Sequence, residues 1–129
     1  MQSTQERILF VDDEAPLRQL AEIGLGNLGY VVTTASDGKK ALEILHQDSA
    51  GFDLLITDLT MPGMSGIELA REALQIYPDL PILLCTGHGE AVTRQQAISA
   101  GIRELMIKPI LPSGLARWVQ ETLHPLAPN

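Results

Sequence analysis

Asp12-Asp13-Glu14, Asp58, Thr86 and Lys108 each stand at the end of a short apolar run, and all carry side chains that phosphate chemistry uses. Ile8-Leu9-Phe10-Val11 leads into the acidic triplet and Leu54-Leu55-Ile56-Thr57 into Asp58. Ile82-Leu83-Leu84-Cys85 leads into Thr86, and Leu105-Met106-Ile107 into Lys108. If these runs are neighbouring parallel strands, the polar residues collect at one edge of a sheet. Open α/β sheets bind ligands there, at the carboxyl ends of their strands. Carboxylates held together raise one another's pKa unless a cation offsets them. Hard oxygens with open positions for water and phosphate suit Mg²⁺, with Mn²⁺ as the alternative. No His or Cys stands beside them in the sequence, which argues against a softer transition-metal site.

Each residue also has a plainer explanation. Asp12 or Asp13 alone reads equally well as a helix cap, and Asp58 alone as a turn residue. Lys108 alone reads as a solvated charge and Thr86 as an ordinary strand threonine. Their joint placement favours chemistry. Asp58 is the nucleophile candidate, because carboxylates form aspartyl-phosphate intermediates. Phosphoryl transfer asks mainly for positioning and charge neutralisation, which Mg²⁺ and a lysine supply. His88 reads as a loop residue that could crowd the entrance; His46 and His124 read as surface, and Cys85 and Trp118 as packing.

The elements that position these residues follow from alternating patterns. Apolar runs of strand length alternate with stretches of helical period, which signals β-α-β units and a parallel sheet. Pro16 suits an early helical turn, and Leu17, Leu20, Ala21, Leu25 and Leu28 form a stripe that Gly29 ends. Tyr30 to Ala35 reads as a second strand, and Ser36-Asp37-Gly38 caps a helix running to about Gln47. Ser65 and Glu68 form a capping box for a third helix, which stops near Tyr77-Pro78. A weaker helix runs through Ala91, Ala97 and Ile98 to Gly101, and Glu104 to Ile107 is the fifth strand. Ser113 is expected to cap a last helix striped by Leu115, Val119 and Leu123. Five β-α units fill residues 7–124, between an N-terminal tail at 1–6 and a C-terminal tail at 125–129.

Composition narrows the classes further. A net charge of −7 without a basic cluster makes the chain a poor nucleic-acid binder. No apolar stretch reaches the ~20 residues that cross a membrane, and Met1 to Arg7 lacks the apolar core of a signal peptide. A single cysteine excludes an internal disulfide and fits a reducing compartment, so a cytoplasmic location is expected.

Taken together, Leu9-Phe10-Val11-Asp12-Asp13-Glu14, Thr57-Asp58-Leu59-Thr60-Met61-Pro62-Gly63-Met64-Ser65-Gly66, Thr86-Gly87 and Lys108-Pro109 resemble the receiver domain of bacterial response regulators. The resemblance covers about Arg7 to Leu123. It implies a flavodoxin-like (βα)5 three-layer sandwich with a five-stranded parallel sheet in the order 2-1-3-4-5. It implies that Asp58 accepts a phosphoryl group from the phosphohistidine of a histidine kinase or histidine phosphotransfer domain, in a two-component phosphorelay. Asp13, Asp58 and the backbone carbonyl of Thr60 would bind Mg²⁺, with Asp12 acting largely through water. Lys108 would hold the phosphoryl group, Thr86 would swing toward it, and the Lys108-Pro109 bond would be cis.

The segment from Glu6 to Glu14 and Thr86-Gly87-His88-Gly89 look most like receivers fused to hybrid sensor histidine kinases. Either a stand-alone protein or one module of a longer chain, with a possible homodimer, is expected. The family commonly has an aromatic three residues before the lysine. Leu105 stands there instead, which puts in question how phosphorylation reshapes the last two units. Thr60 and His88 occupy positions that tune phosphoryl lifetime in the family. An aspartate-nucleophile phosphatase would carry a second acid where Thr60 stands. An interaction module blind to phosphate would not require the five polar residues. A dinucleotide-binding dehydrogenase would need Gly-x-Gly-x-x-Gly after the first strand, and none follows.

Overall fold

The computed structural model describes residues 5–47, 51–87 and 94–125. Five β-α units follow one another: β1 (Arg7–Val11), α1 (Ala15–Gly26), β2 (Val31–Ala35), α2 (Gly38–Gln47), β3 (Leu54–Asp58), α3 (Gly66–Ile76), β4 (Ile82–Thr86), α4 (Arg94–Ser99), β5 (Glu104–Ile107) and α5 (Pro112–Leu123). The strands pair in parallel in the order β2-β1-β3-β4-β5, as the resemblance implies. All five residues of β3 and of β4 are buried, which explains why those runs are apolar without alternation: both faces of the sheet are covered.

Alternation decides which layer each strand residue joins. Ile8, Phe10, Leu54, Ile56, Leu83 and Cys85 pack with Ala21 and Leu25 of α1 and Leu115 and Val119 of α5. Leu9, Val11, Leu55, Ile82 and Leu84 pack on the opposite face with residues of α2, α3 and α4 such as Leu45, Leu69 and Ala97. The three-layer sandwich is therefore built from two cores sharing one sheet.

Local expectations meet the structure unevenly. The capping box is formed: Glu68 N donates to Ser65 Oγ at 3.1 Å, and Ser65 N donates to Glu68 Oε1 at 2.9 Å. Asp37 Oδ1 accepts from Lys40 N at 2.8 Å, holding the start of α2. The α1 stripe is narrower than its spacing suggests. Ala21 and Leu25 are buried, whereas Leu20 is 38% and Leu28 49% exposed, because Leu20 lies off the sheet-facing line and Leu28 lies past the helix end. Tyr30 does not begin β2, since its amide donates to Leu25 O and closes the helix end, with Gly29 at φ 100° completing the reversal. Ser113 does not cap α5. The helix starts two residues earlier than that cap would set, at Pro112, whose fixed φ suits the first position and leaves Ser113 inside the first turn. Ala97 of α4 is buried while Ile98 is exposed; Ala91, at the expected start of that helix, lies outside the described residues.

Candidate phosphoacceptor site

The site lies where β1, β3, β4 and β5 end. Asp12 follows β1, and its amide donates to Ala35 O at 3.1 Å, extending the sheet ladder by one step. One oxygen of its carboxylate accepts from Glu14 N at 2.9 Å and the other from Lys108 Nζ at 3.2 Å. Asp12 therefore does not cap α1, whose N-cap is Glu14 without a side-chain cap; one oxygen closes the turn before the helix and the other meets Lys108. Asp58 ends β3, opposite Cys85 in the β4 register, with its Oδ1 3.2 Å from Lys108 Nζ. Asp12 is 2% exposed and Asp58 7%, whereas Asp13 faces solvent. Carboxylate oxygens of Asp12, Asp13 and Asp58 all fall within 4.8 Å of one another.

The segment after Asp58 is tied back tightly. Leu59 N donates to Cys85 O at 2.8 Å, and Gly66 N donates to Leu59 O at 2.7 Å, so residues 59–66 form a closed loop over the end of β3. Gly66 must be glycine. A Cβ there would fall inside contact distance of the Asp58 carbonyl oxygen and 2.7 Å from Leu84 Cδ1. Lys108 is anchored through its own backbone, which donates to Thr86 O at 2.6 Å, and the Lys108-Pro109 bond is cis. Thr86 ends β4 one residue beyond the partner of Asp58 and is buried. Thr60 is exposed on the loop, and His88 lies outside the described residues. Leu105 is partly buried and packs against the core on the α2–α4 side.

Charge in this corner is unbalanced. Burial, and after it the Asp12 charge, pushes the Asp58 carboxyl from an ordinary 3.8 up to about 6, against the pull of Lys108 and the Leu59 amide. Burial works to lower the Lys108 pKa, but Asp12 and Asp58 together outweigh it and the net shift is upward. Cys85, also buried, is pushed up to about 12. One ammonium between two buried carboxylates, with a third carboxylate alongside, leaves an excess of negative charge that a small hard dication fits. On that observation the donor set suits Mg²⁺, for which Asp12, Asp13 and Asp58 would supply oxygens. Beside it opens a cleft of about 380 Å³, with Phe10, Leu17, Leu20 and Leu115 among its apolar walls and Asp12, Glu14 and Lys108 at its polar end.

Of the residues named from the sequence, Asp12, Asp13, Asp58 and Lys108 converge, and Thr86 ends the strand beside them. Gly66 and Arg18 were not singled out. Gly66 carried a signal, a residue without a side chain where a helix must start beneath a strand end. Arg18 carried a weaker one: it lies one turn into α1, and its Nη1 reaches back to donate to Asp12 O at 2.8 Å.

A model of the family "Response regulator receiver domain" matches residues 8–120. The chain is 35% identical over 121 residues to the probable transcriptional regulator ycf27 of Guillardia theta, covering 94% of this chain and 46% of that protein. It is also 35% identical over 115 residues to the C4-dicarboxylate transport transcriptional regulatory protein DctD of Rhizobium meliloti, covering 89% and 25%. The chain thus spans half or less of the length of these relatives. Among solved structures, the chemotaxis response regulator CheY4 of Vibrio cholerae superposes with a TM-score of 0.84 at 32% identity, covering 93% of this chain and all of that one. Together with the sheet order and the acidic corner, these matches place the chain in the response regulator receiver domain family.

Proposed function

We propose that this domain takes a phosphoryl group onto Asp58, with Asp12, Asp13, Asp58 and the Thr60 carbonyl holding Mg²⁺ and Lys108 and Thr86 completing the site. The observation that carries this reading is Lys108 Nζ lying 3.2 Å from both Asp12 and Asp58 beside a three-carboxylate cluster. An Asp58 oxygen attacks phosphorus, a P–O bond forms, and the P–N bond to the donor imidazole breaks with the electron pair leaving on nitrogen. The ammonium of Lys108, already at the acceptor oxygen, follows the charge onto the phosphoryl oxygens. Thr86 offers its hydroxyl from the neighbouring strand end. When bound, Mg²⁺ supplies charge neutralisation and alignment of the phosphoryl oxygens. The chain catalyses only this transfer and its own dephosphorylation, in which water takes the phosphoryl group from Asp58.

The donor is a histidine kinase or a histidine phosphotransfer domain, met on the cytoplasmic side, where the reduced Cys85 belongs. No helix among the described residues is long and apolar enough to cross a membrane. Relatives named as transcriptional regulators extend well beyond the matched region. That supports a larger parent protein with transcriptional output, alongside the hybrid-kinase origin that the opening segment resembles. Exposed Ile98, Ile107 and Leu111 offer apolar surface for a partner or a second copy. Incubation with acetyl phosphate and Mg²⁺ should add the mass of one acid-labile phosphoryl group, absent in Asp58→Asn and in chelator. A native protein left unmodified by both acetyl phosphate and phosphorylated kinases would contradict the reading.

A further inference from the structure

We infer that Arg18 is a positioning residue for the cation site, an inference resting on the Mg²⁺ reading above. Its guanidinium does not touch the carboxylates that would hold the ion. Nη1 donates at 2.8 Å to the backbone carbonyl of Asp12, from one turn inside α1. That carbonyl belongs to the peptide joining Asp12 to Asp13. A peptide is one rigid plane, so holding its oxygen holds the amide and Cα of Asp13, the base from which its side chain leaves the backbone. The other anchors lie to either side of that peptide: Asp12 N on Ala35 O and Asp12 Oδ2 on Lys108 before it, and, beyond Asp13, Glu14 N on Asp12 Oδ1. Arg18 holds the peptide that enters Asp13, the exposed member of the acidic cluster, and the Glu14 amide holds the one that leaves it.

Helix α1 is braced for this reach. Leu17 N and Arg18 N both donate to Glu14 O, at 3.1 and 3.2 Å, so the first turn is closed directly behind the acidic turn. Arg18 itself is half-buried, and its charged end reaches back past the helix start to the Asp12 carbonyl. A cation this close to a cation site is electrostatically unfavourable for Mg²⁺. Positioning and electrostatics therefore predict opposite signs when Arg18 is removed.

The test is Mg²⁺ affinity of the intact protein by titration calorimetry, for the native chain, Arg18→Ala and Arg18→Met, the last keeping an apolar stem. Melting temperatures are measured on the same samples, and the amide shift of Asp13 is followed by NMR without metal. Both variants should bind Mg²⁺ about tenfold more weakly, in the range found when groups behind metal ligands are removed. They should remain folded, with the Asp13 amide displaced before any ion is added. Unchanged or tighter Mg²⁺ binding would show that Arg18 acts only as a nearby charge and would overturn the inference. So would loss of the fold in both variants, which would make the role structural. A native chain that binds no Mg²⁺ would instead remove the reading of the site on which this rests.

Discussion

Asp58→Asn should stabilise the metal-free protein, although it destroys the acceptor. The native carboxyl is carried from 3.8 in an open chain to about 6 in the folded one, chiefly by burial and then by Asp12. Because its folded value lies above its unfolded value, the folded state binds the extra proton and is favoured as pH falls. The penalty vanishes well below 3.8, grows between 3.8 and about 6, and is complete at pH 8. At about 1.4 kcal/mol per pH unit it amounts to about 3 kcal/mol. For a domain of this size that corresponds to a rise on the order of 10 °C in Tm for the asparagine variant. The assay is urea unfolding of both proteins in chelator at pH 4.5 and pH 8. The variant should gain about 3 kcal/mol at pH 8 and about a third of that at pH 4.5. Mg²⁺ at about a hundred times its Kd contributes about 2.7 kcal/mol to the native protein and closes most of the gap. An advantage that is absent at pH 8, or equal at both pH values, would refute the account of a strained carboxylate.

Asp13→Ala should weaken Mg²⁺ binding more than Asp12→Ala, read by calorimetry, because Asp12 has one oxygen committed to Glu14 N and the other to Lys108; the reverse order would exchange their roles. Lys108→Met should raise the Asp58 pKa beyond about 6, since it removes the main opposing charge, and should slow phosphorylation more than it lowers Tm. NMR titration of the Asp58 carboxyl checks the first point. Gly66→Ala should be severe, costing several kcal/mol in urea unfolding, because its methyl meets backbone at Asp58 and the wall at Leu84; a loss under 1 kcal/mol would mean the loop yields easily. Ser65→Ala should cost about 1 kcal/mol by loss of the capping box, with phosphorylation intact.

Much of the site was legible because its residues sit at strand ends, and strand ends are marked by abrupt changes from apolar to polar. Asp12, Asp58, Thr86 and Lys108 could be named that way, and a buried parallel sheet makes such runs conspicuous. Ser65 and Glu68 announced their helix by chemistry confined to four residues. Features set by tertiary context were not legible. The width of the α1 stripe depended on where the helix stops, and the start of α5 on Pro112 rather than on the better capping residue beside it. Arg18 was invisible because its partner is a carbonyl, which every residue has. Gly66 stands in the loop after Asp58 in the sequence, yet its reason lies in the approach of Asp58 and Leu84, which only the packed structure brings there.

The side chains of Glu6 and His124 meet at 2.7 Å, joining the entry of the first strand to the exit of the last helix. Both ends of the folded unit therefore emerge side by side, on the rim opposite the acidic corner. A unit with this geometry can be spliced into another polypeptide, or strung before or after one, without its neighbours crowding the working edge. The same proximity makes a circularly rearranged gene, with a short bridge between these ends and new termini elsewhere, a feasible product that should keep its fold.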